Sequence, residues 1–106
     1  MAGVEWTPID AGATIGTQGS EDGVILRDDE HPLGARITLE RDGVTAPFSI
    51  TCGIYGSMVH TAFAGTESEA AAMYEVMRGR LSDLIAMPDG DEEAYHAALG
   101  QFVNEF

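Results

Sequence analysis

Lysine is absent from this chain, and arginine occurs only at positions 27, 36, 41, 78 and 80. Against these five cations stand 18 acidic residues, so the formal charge is 5 − 18 = −13. A surface so poor in cations cannot displace counterions from a phosphate backbone, which argues against nucleic-acid binding. The same charge disfavours docking on an anionic membrane leaflet. There is a single cysteine, Cys52, too few for an internal disulfide framework or a zinc ribbon. No apolar run approaches the roughly 20 residues of a transmembrane helix. Met1 to Trp6 shows neither the basic nor the apolar stretch of a signal peptide, and a reducing, cytoplasmic setting is the expectation.

What is present is enough for one folded domain over residues 1–106, since 44% of the chain is hydrophobic. The preference for arginine, alanine, glycine and aspartate is what a GC-rich genome encodes. The surplus acid would also keep a protein soluble at high salt.

Hydrophobic periodicity divides the chain near residue 64, with period two before it and period 3.6 after it. Asp42-Gly43 reads as a two-residue hairpin turn. Folding there pairs Arg41 with Val44, Leu39 with Ala46, Ile37 with Phe48, Ala35 with Ile50 and Leu33 with Cys52, and gathers the apolar residues on one face. A second hairpin follows around Gly53-Ile54-Tyr55-Gly56, with a loop of two residues or four. In either case Val59 and Phe63 are expected to share the face of Phe48, Ile50 and Cys52. Two weaker strands, Ala13 to Gln18 and Gly23 to Arg27, precede these, joined by Gly19-Ser20-Glu21-Asp22. Asp28 to Pro32 then reads as a connection, and the first ten residues as a further edge strand or a tail in which Trp6 and Ile9 are packed.

Thr66-Glu67-Ser68-Glu69 is a capping box. It opens a helix over about 66–87 with a stripe of Ala70, Met73, Tyr74, Met77, Leu81, Leu84 and Ile85. Pro88, Asp89 and Gly90 stop it. A second helix over about 91–105 buries Ala94, Tyr95, Ala98, Leu99, Phe102 and Phe106, with Asp91, Glu92 and Glu93 in its first turn. The expected fold is a two-layer α+β domain: a five-stranded antiparallel meander over about 13–64, then two C-terminal helices packed on one face.

Candidate chemistry is sparse. Cys52 falls on the core face with no cation nearby to lower its pKa, which makes it a buried, inert thiol. Asp28, Asp29, Glu30 and His31, and separately Asp89, Asp91, Glu92 and Glu93, do not match calcium-loop spacing; no metal or cofactor is expected. No glycine-rich loop leads from a strand into a helix, and no serine sits in a nucleophile elbow. The one polar set that could converge for catalysis is His60, Thr51 and Arg36.

The most informative surface is the sheet face away from the helices. Alternation assigns Gly34, Arg36, Thr38, Glu40, Ser49, Thr51, Gly53, Met58, His60 and Ala62 to it, a set too small-sided and too mildly polar for a freely solvated face. The reading is a non-enzymatic interaction protein, inhibitor- or adaptor-like, that meets a protein partner through Arg36, Thr38, Thr51, Met58 and His60. That partner is expected to be basic, because an acidic surface steers onto basic ones. Self-association through the open sheet face is a further expectation. The alternative is a small-ligand-binding homodimer with a pocket between sheet and helices, lined by Met73, Tyr74 and Met77.

Overall fold

The computed structural model describes residues 6–87 and 90–106. It is an α+β fold in which an antiparallel five-stranded sheet is followed by two helices. The strands β1 (Thr7–Pro8), β2 (Val24–His31), β3 (Ala35–Arg41), β4 (Phe48–Ile54) and β5 (Met58–Ala64) lie side by side in chain order. The long helix α1 (Glu67–Ile85) packs across β3, β4 and β5, and α2 (Glu92–Glu105) packs on α1. The Pro88-Asp89 part of the expected helix stop lies outside the described residues.

The helices form where their stripes and caps require. Thr66 Oγ1 accepts the Glu69 N–H at 3.2 Å, and the Glu69 carboxylate reaches back to the Gly65 N–H at 3.3 Å. Asp91 caps α2 by accepting the Ala94 N–H. Ala70, Tyr74, Met77, Leu81 and Leu84 of α1 are buried with Leu99 and Phe102 of α2 against Ala35, Ile37, Leu39, Ile50, Cys52, Ala62 and Ala64 of the sheet. Ala94, expected in the core, is exposed.

Four expectations about the strands need correction. First, residues 13–18 are mostly turns, with a lone bridge from Gln18 to Val24. The fifth strand is Thr7–Pro8, paired to β2 at Glu30 and Asp29. Second, Asp28 to His31 continue β2 instead of leaving it, and Pro32 to Gly34 make the turn. Third, β3 and β4 pair Ala35 with Ile54, Ile37 with Cys52, Leu39 with Ile50 and Arg41 with Phe48. This is four residues from the expected register and keeps the face assignments of the paired residues, while Leu33 and Val44, expected on the core face, lie in turns and are exposed. The loop is longer because Pro47 has no N–H to give a ladder. Instead its carbonyl accepts the Asp42 N–H, and Val44 N–H bonds the Glu21 carbonyl.

The fourth correction changes a face. The β4–β5 loop has three residues, Tyr55 to Ser57, closed by the Ser57 N–H on the Ile54 carbonyl with Gly56 at φ +79°. An odd loop reverses the parity of everything beyond it. Cys52 therefore faces His60, Ile50 faces Ala62 and Phe48 faces Ala64. Met58, His60 and Ala62 lie on the helix side, while Val59 and Phe63 lie outside, 79% and 43% exposed. A lysine tests this parity directly. Ala62→Lys is expected to lose about 3 kcal/mol or more in urea unfolding, and Val59→Lys to stay within about 0.5 kcal/mol of the parent. Equal losses would refute the parity.

Candidate functional site

The outer face of the sheet carries Asp28 and Glu30 from β2, Arg36, Thr38 and Glu40 from β3, Ser49, Thr51 and Gly53 from β4, and Val59, Thr61 and Phe63 from β5. A bulge at Leu26 adds Ile25, which pairs with Glu40 while Arg27 pairs with Leu39. Ile25 is nevertheless 4% exposed, because the segment from Gly12 to Gly23 arches over this end of the sheet. Ile25 exchanges backbone hydrogen bonds with Gly16 and Thr17 of that arch.

Two carboxylates hold the arch. Glu40 is fully buried and accepts the backbone N–H groups of Glu21 and Gly23, at 3.2 and 3.1 Å to Oε1. Glycine at 19 is required by this approach, since a Cβ there would stand 2.3 Å from the Glu40 carboxyl carbon. Asp28 is 2% exposed and accepts from Arg36 Nε at 3.0 Å, Arg36 Nη2 at 2.7 Å and Thr38 Oγ1 at 2.9 Å. The Thr14 hydroxyl of the arch makes no hydrogen bond of ordinary geometry, yet it lies near enough to favour the Asp28 charge. Burial alone would raise the Asp28 pKa, but Arg36, Thr14 and Thr38 together hold it below the usual carboxylate value. The same hydrogen bonding to Asp28 raises Arg36, with help from the nearby Tyr55 and Glu30.

Between the arch and the bare part of the sheet lies a groove of about 770 Å³. Its floor carries Arg36, Thr38, Thr51 and Gly53, one wall is Thr14 to Ser20, and Tyr55 and Val59 stand at its lip. Arg36 uses two of its donors on Asp28, and its side chain is 42% exposed. Thr51 Oγ1 is 3.2 Å from Thr61 Oγ1. With Asp28, Glu30 and Glu40 against a single arginine, the face is net acidic.

The structure thus brings together three of the five residues assigned to this face from sequence: Arg36, Thr38 and Thr51. The side chains of Met58 and His60 are behind the sheet, although Met58 still borders the groove. Met58 packs on the core, and the His60 ring meets Phe102 edge-on at 6.2 Å. The set His60, Thr51 and Arg36 does not converge, because the sheet separates its histidine from the other two. Tyr55, Val59 and the arch were not legible as parts of a site; Gly19 and Gly23, closing onto Glu40 and the Arg41 carbonyl, were the signal for the arch.

Other candidates resolve simply. Cys52 is 2% exposed and burial pushes its thiol up to about 12, so it is a poor nucleophile. Its cross-strand neighbour is His60, which the expected register had put on the opposite face. Asp28 and Asp29 point to opposite sides of the sheet, and among the described residues no three acids, histidines or cysteines gather as metal ligands. Asp89 lies outside those residues. Tyr74 and Met77 are fully buried. Burial and the hydrogen bond that the Tyr74 hydroxyl donates to Asp29 raise the Tyr74 pKa, and Arg27 stacks 4.1 Å over the ring. A smaller cleft of about 480 Å³ opens at the end of the helix layer beside Leu33, Ile54, Leu84 and Tyr95, but Met73, Tyr74 and Met77 do not line it. No described helix is long and apolar enough to cross a membrane.

Compared with protein-family models, curated proteins and solved structures, the chain matches none.

The buried Asp28 predicts an acid limb. Its folded-state pKa lies below the ordinary 3.8, so its contribution is complete above that pH and is lost as pH falls through the folded value. Asp28→Asn is expected to cost about 1–3 kcal/mol at pH 7 and to flatten the loss of stability below pH 4. Chemical unfolding from pH 7 to pH 2 measures both, and an unchanged acid limb would refute the assignment.

Proposed function

We propose that this protein is a non-catalytic interaction module, inhibitor- or adaptor-like, that binds a basic partner protein through the outer face of its sheet in a cytoplasmic setting. The observation that carries this reading is an apolar-lipped groove on a sheet face where Asp28, Glu30 and Glu40 stand against the single Arg36, in a chain whose arginines are all engaged within the fold. Arg27 pairs with Glu75, Arg36 with Asp28, Arg41 with Asp42, Arg78 with Glu75 and Asp29, and Arg80 with Glu105. The charge left for partners is therefore acid, which attracts basic surfaces and speeds encounter. The groove suits the long stem of a lysine or arginine, with apolar contacts to Ile25, Tyr55 and Val59 and the net negative charge of the face and chain around it. Tyr55 and Val59 are 67% and 79% exposed and continue toward Phe63, an apolar ledge wider than the groove that fits a protein surface better than a small molecule. Arg36, Thr38 and Thr51 meet the partner in this reading, and Met58 and His60 support the strands from behind.

A small-ligand reading rests on one observation, the groove volume, which falls in the ordinary range of about 300–1,000 Å³ for small-molecule sites. Its pocket would be this groove and not the layer beneath the helices.

The test is titration of isotope-labelled protein with an arginine- and lysine-rich peptide, beside a glutamate-rich control. Amide shifts are expected at residues 36–38, 51–55 and the arch, weakening about tenfold between about 50 and 300 mM salt and abolished by Thr51→Arg. Shifts scattered over α2 and the acidic turns, insensitive to Thr51→Arg, would contradict the proposal. Salt-independent shifts of the groove with neutral, amphipathic fragments would favour the small-ligand reading.

A further inference from the structure

The two edges of the sheet are treated differently. On the β2 side, Gly16 and Thr17 pair with Ile25 and the short β1, which ends in a proline, covers Asp29 and Glu30. On the other side β5 runs for seven residues, Met-Val-His-Thr-Ala-Phe-Ala, with no proline, glycine, acid, lysine or arginine. Those are the devices that keep an edge from pairing, and β5 has none of them.

The direction of its free groups follows from the ladder. Tyr55 N–H bonds the Gly34 carbonyl and Asp42 N–H bonds the Pro47 carbonyl. Arg36–Gly53, Thr38–Thr51 and Glu40–Ser49, at the same spacing between them, are therefore the pairs that exchange hydrogen bonds. Phe48, Ile50, Cys52 and Ile54 then turn their backbone groups to β5, where Ala64, Ala62, His60 and Met58 turn back. This leaves the N–H and C=O groups of Val59, Thr61 and Phe63 pointing off the edge. Among the described residues none of them receives a backbone partner outside the strand.

We propose that β5 is a homodimer interface, pairing antiparallel with the β5 of a second copy about a two-fold axis at Thr61. That register sets Thr61 against its own copy and Val59 against Phe63 of the other, so all three outward-facing residues meet an outward-facing partner, with six hydrogen bonds if the ladder closes fully. It also packs Val59 on Phe63 twice along the outer face, the two side chains that a lone sheet leaves in water. Self-complementarity selects the occupant. Each copy carries −13, but β5 itself has no carboxylate, so two β5 strands meet without like charges in contact. The strand whose exposed Val59 and Phe63 match those of β5 in this register is β5 itself. Seven residues a side are fewer than the roughly 20–30 of a standard interface, so the dimer is a reversible one, strengthened by salt that screens the two acidic bodies. The pairing merges the outer faces into one sheet with two grooves and shares Val59 and Phe63 with the ledge of the proposed partner surface; the mass of the chain alone reads the pairing without that partner.

Sedimentation equilibrium of the full chain at about 200 µM, in low and in 0.5 M salt, reads the mass directly. Twice the 11.3 kDa of one chain is expected, more fully at high salt. Thr61→Pro removes the central donor on the side facing solvent, where proline is tolerated in an edge strand, and is expected to raise the dissociation constant about tenfold or more. Should that variant fail to fold by circular dichroism, Val59→Lys with Phe63→Lys, both on exposed positions, serves in its place. Mild oxidation then reads the register: Thr61→Cys is expected to cross-link two chains, and Phe63→Cys alone is not. A monomer under all conditions, a dimer indifferent to these folded variants, or equal cross-linking of Phe63→Cys would overturn the proposal.

Discussion

The fold's outer face depends on a buried carboxylate that accepts backbone N–H groups. Glu40 sits at the end of a strand, fully enclosed, and ties Glu21 and Gly23 to the sheet. Burying a charge is costly unless its lone pairs are filled, and here the filling groups belong to a segment with almost no ladder of its own. The arch therefore stands at a fixed height above the strands. Gly19 and Gly23 permit the approach, and Ile25 is sealed beneath. Without that tie the groove would lose one wall and the outer face would be an open sheet.

Asp28 plays a complementary role at the floor. It sets the Arg36 guanidinium in place through two hydrogen bonds and draws Thr38 and Thr14 toward the same point. The consequence is electrostatic as much as structural. With Arg36 neutralised and the remaining arginines bound elsewhere in the fold, the face keeps an acidic character in a chain already at −13. Binding of cationic side chains and salt-dependent encounter follow from that distribution. The bare strands β4 and β5 supply the apolar part.

Much of the architecture was legible from the residues. The helices follow from a 3.6-residue stripe and from Thr66 and Asp91 as caps, signals that are local and need no partner. The face of β3 and β4 was legible because a register shift of four preserves parity, so the misplaced turn at Asp42-Gly43 did no harm to Arg36, Thr38 or Thr51. Pro47, unable to donate within a central strand, was the sign that the loop is longer. β5 was misread because its loop has three residues, and because Val59 and Phe63 are larger and more apolar than Ala62 and Ala64. Size favoured burying the first pair; the space beneath α1 admits the second. Met58 and His60 moved to the helix side with that parity. The arch depends on contacts between residues about 20 apart in sequence, Glu40 with Glu21 and Gly23, which no periodicity encodes.

The central claim, that buried Glu40 fixes the arch and so creates the groove, is tested most directly by amide hydrogen exchange at Glu21 and Gly23. The account predicts protection of these two amides comparable to that of β3, falling to the level of free turns in Glu40→Ala while α1 keeps its protection. Fast exchange of both amides in the parent protein would contradict it.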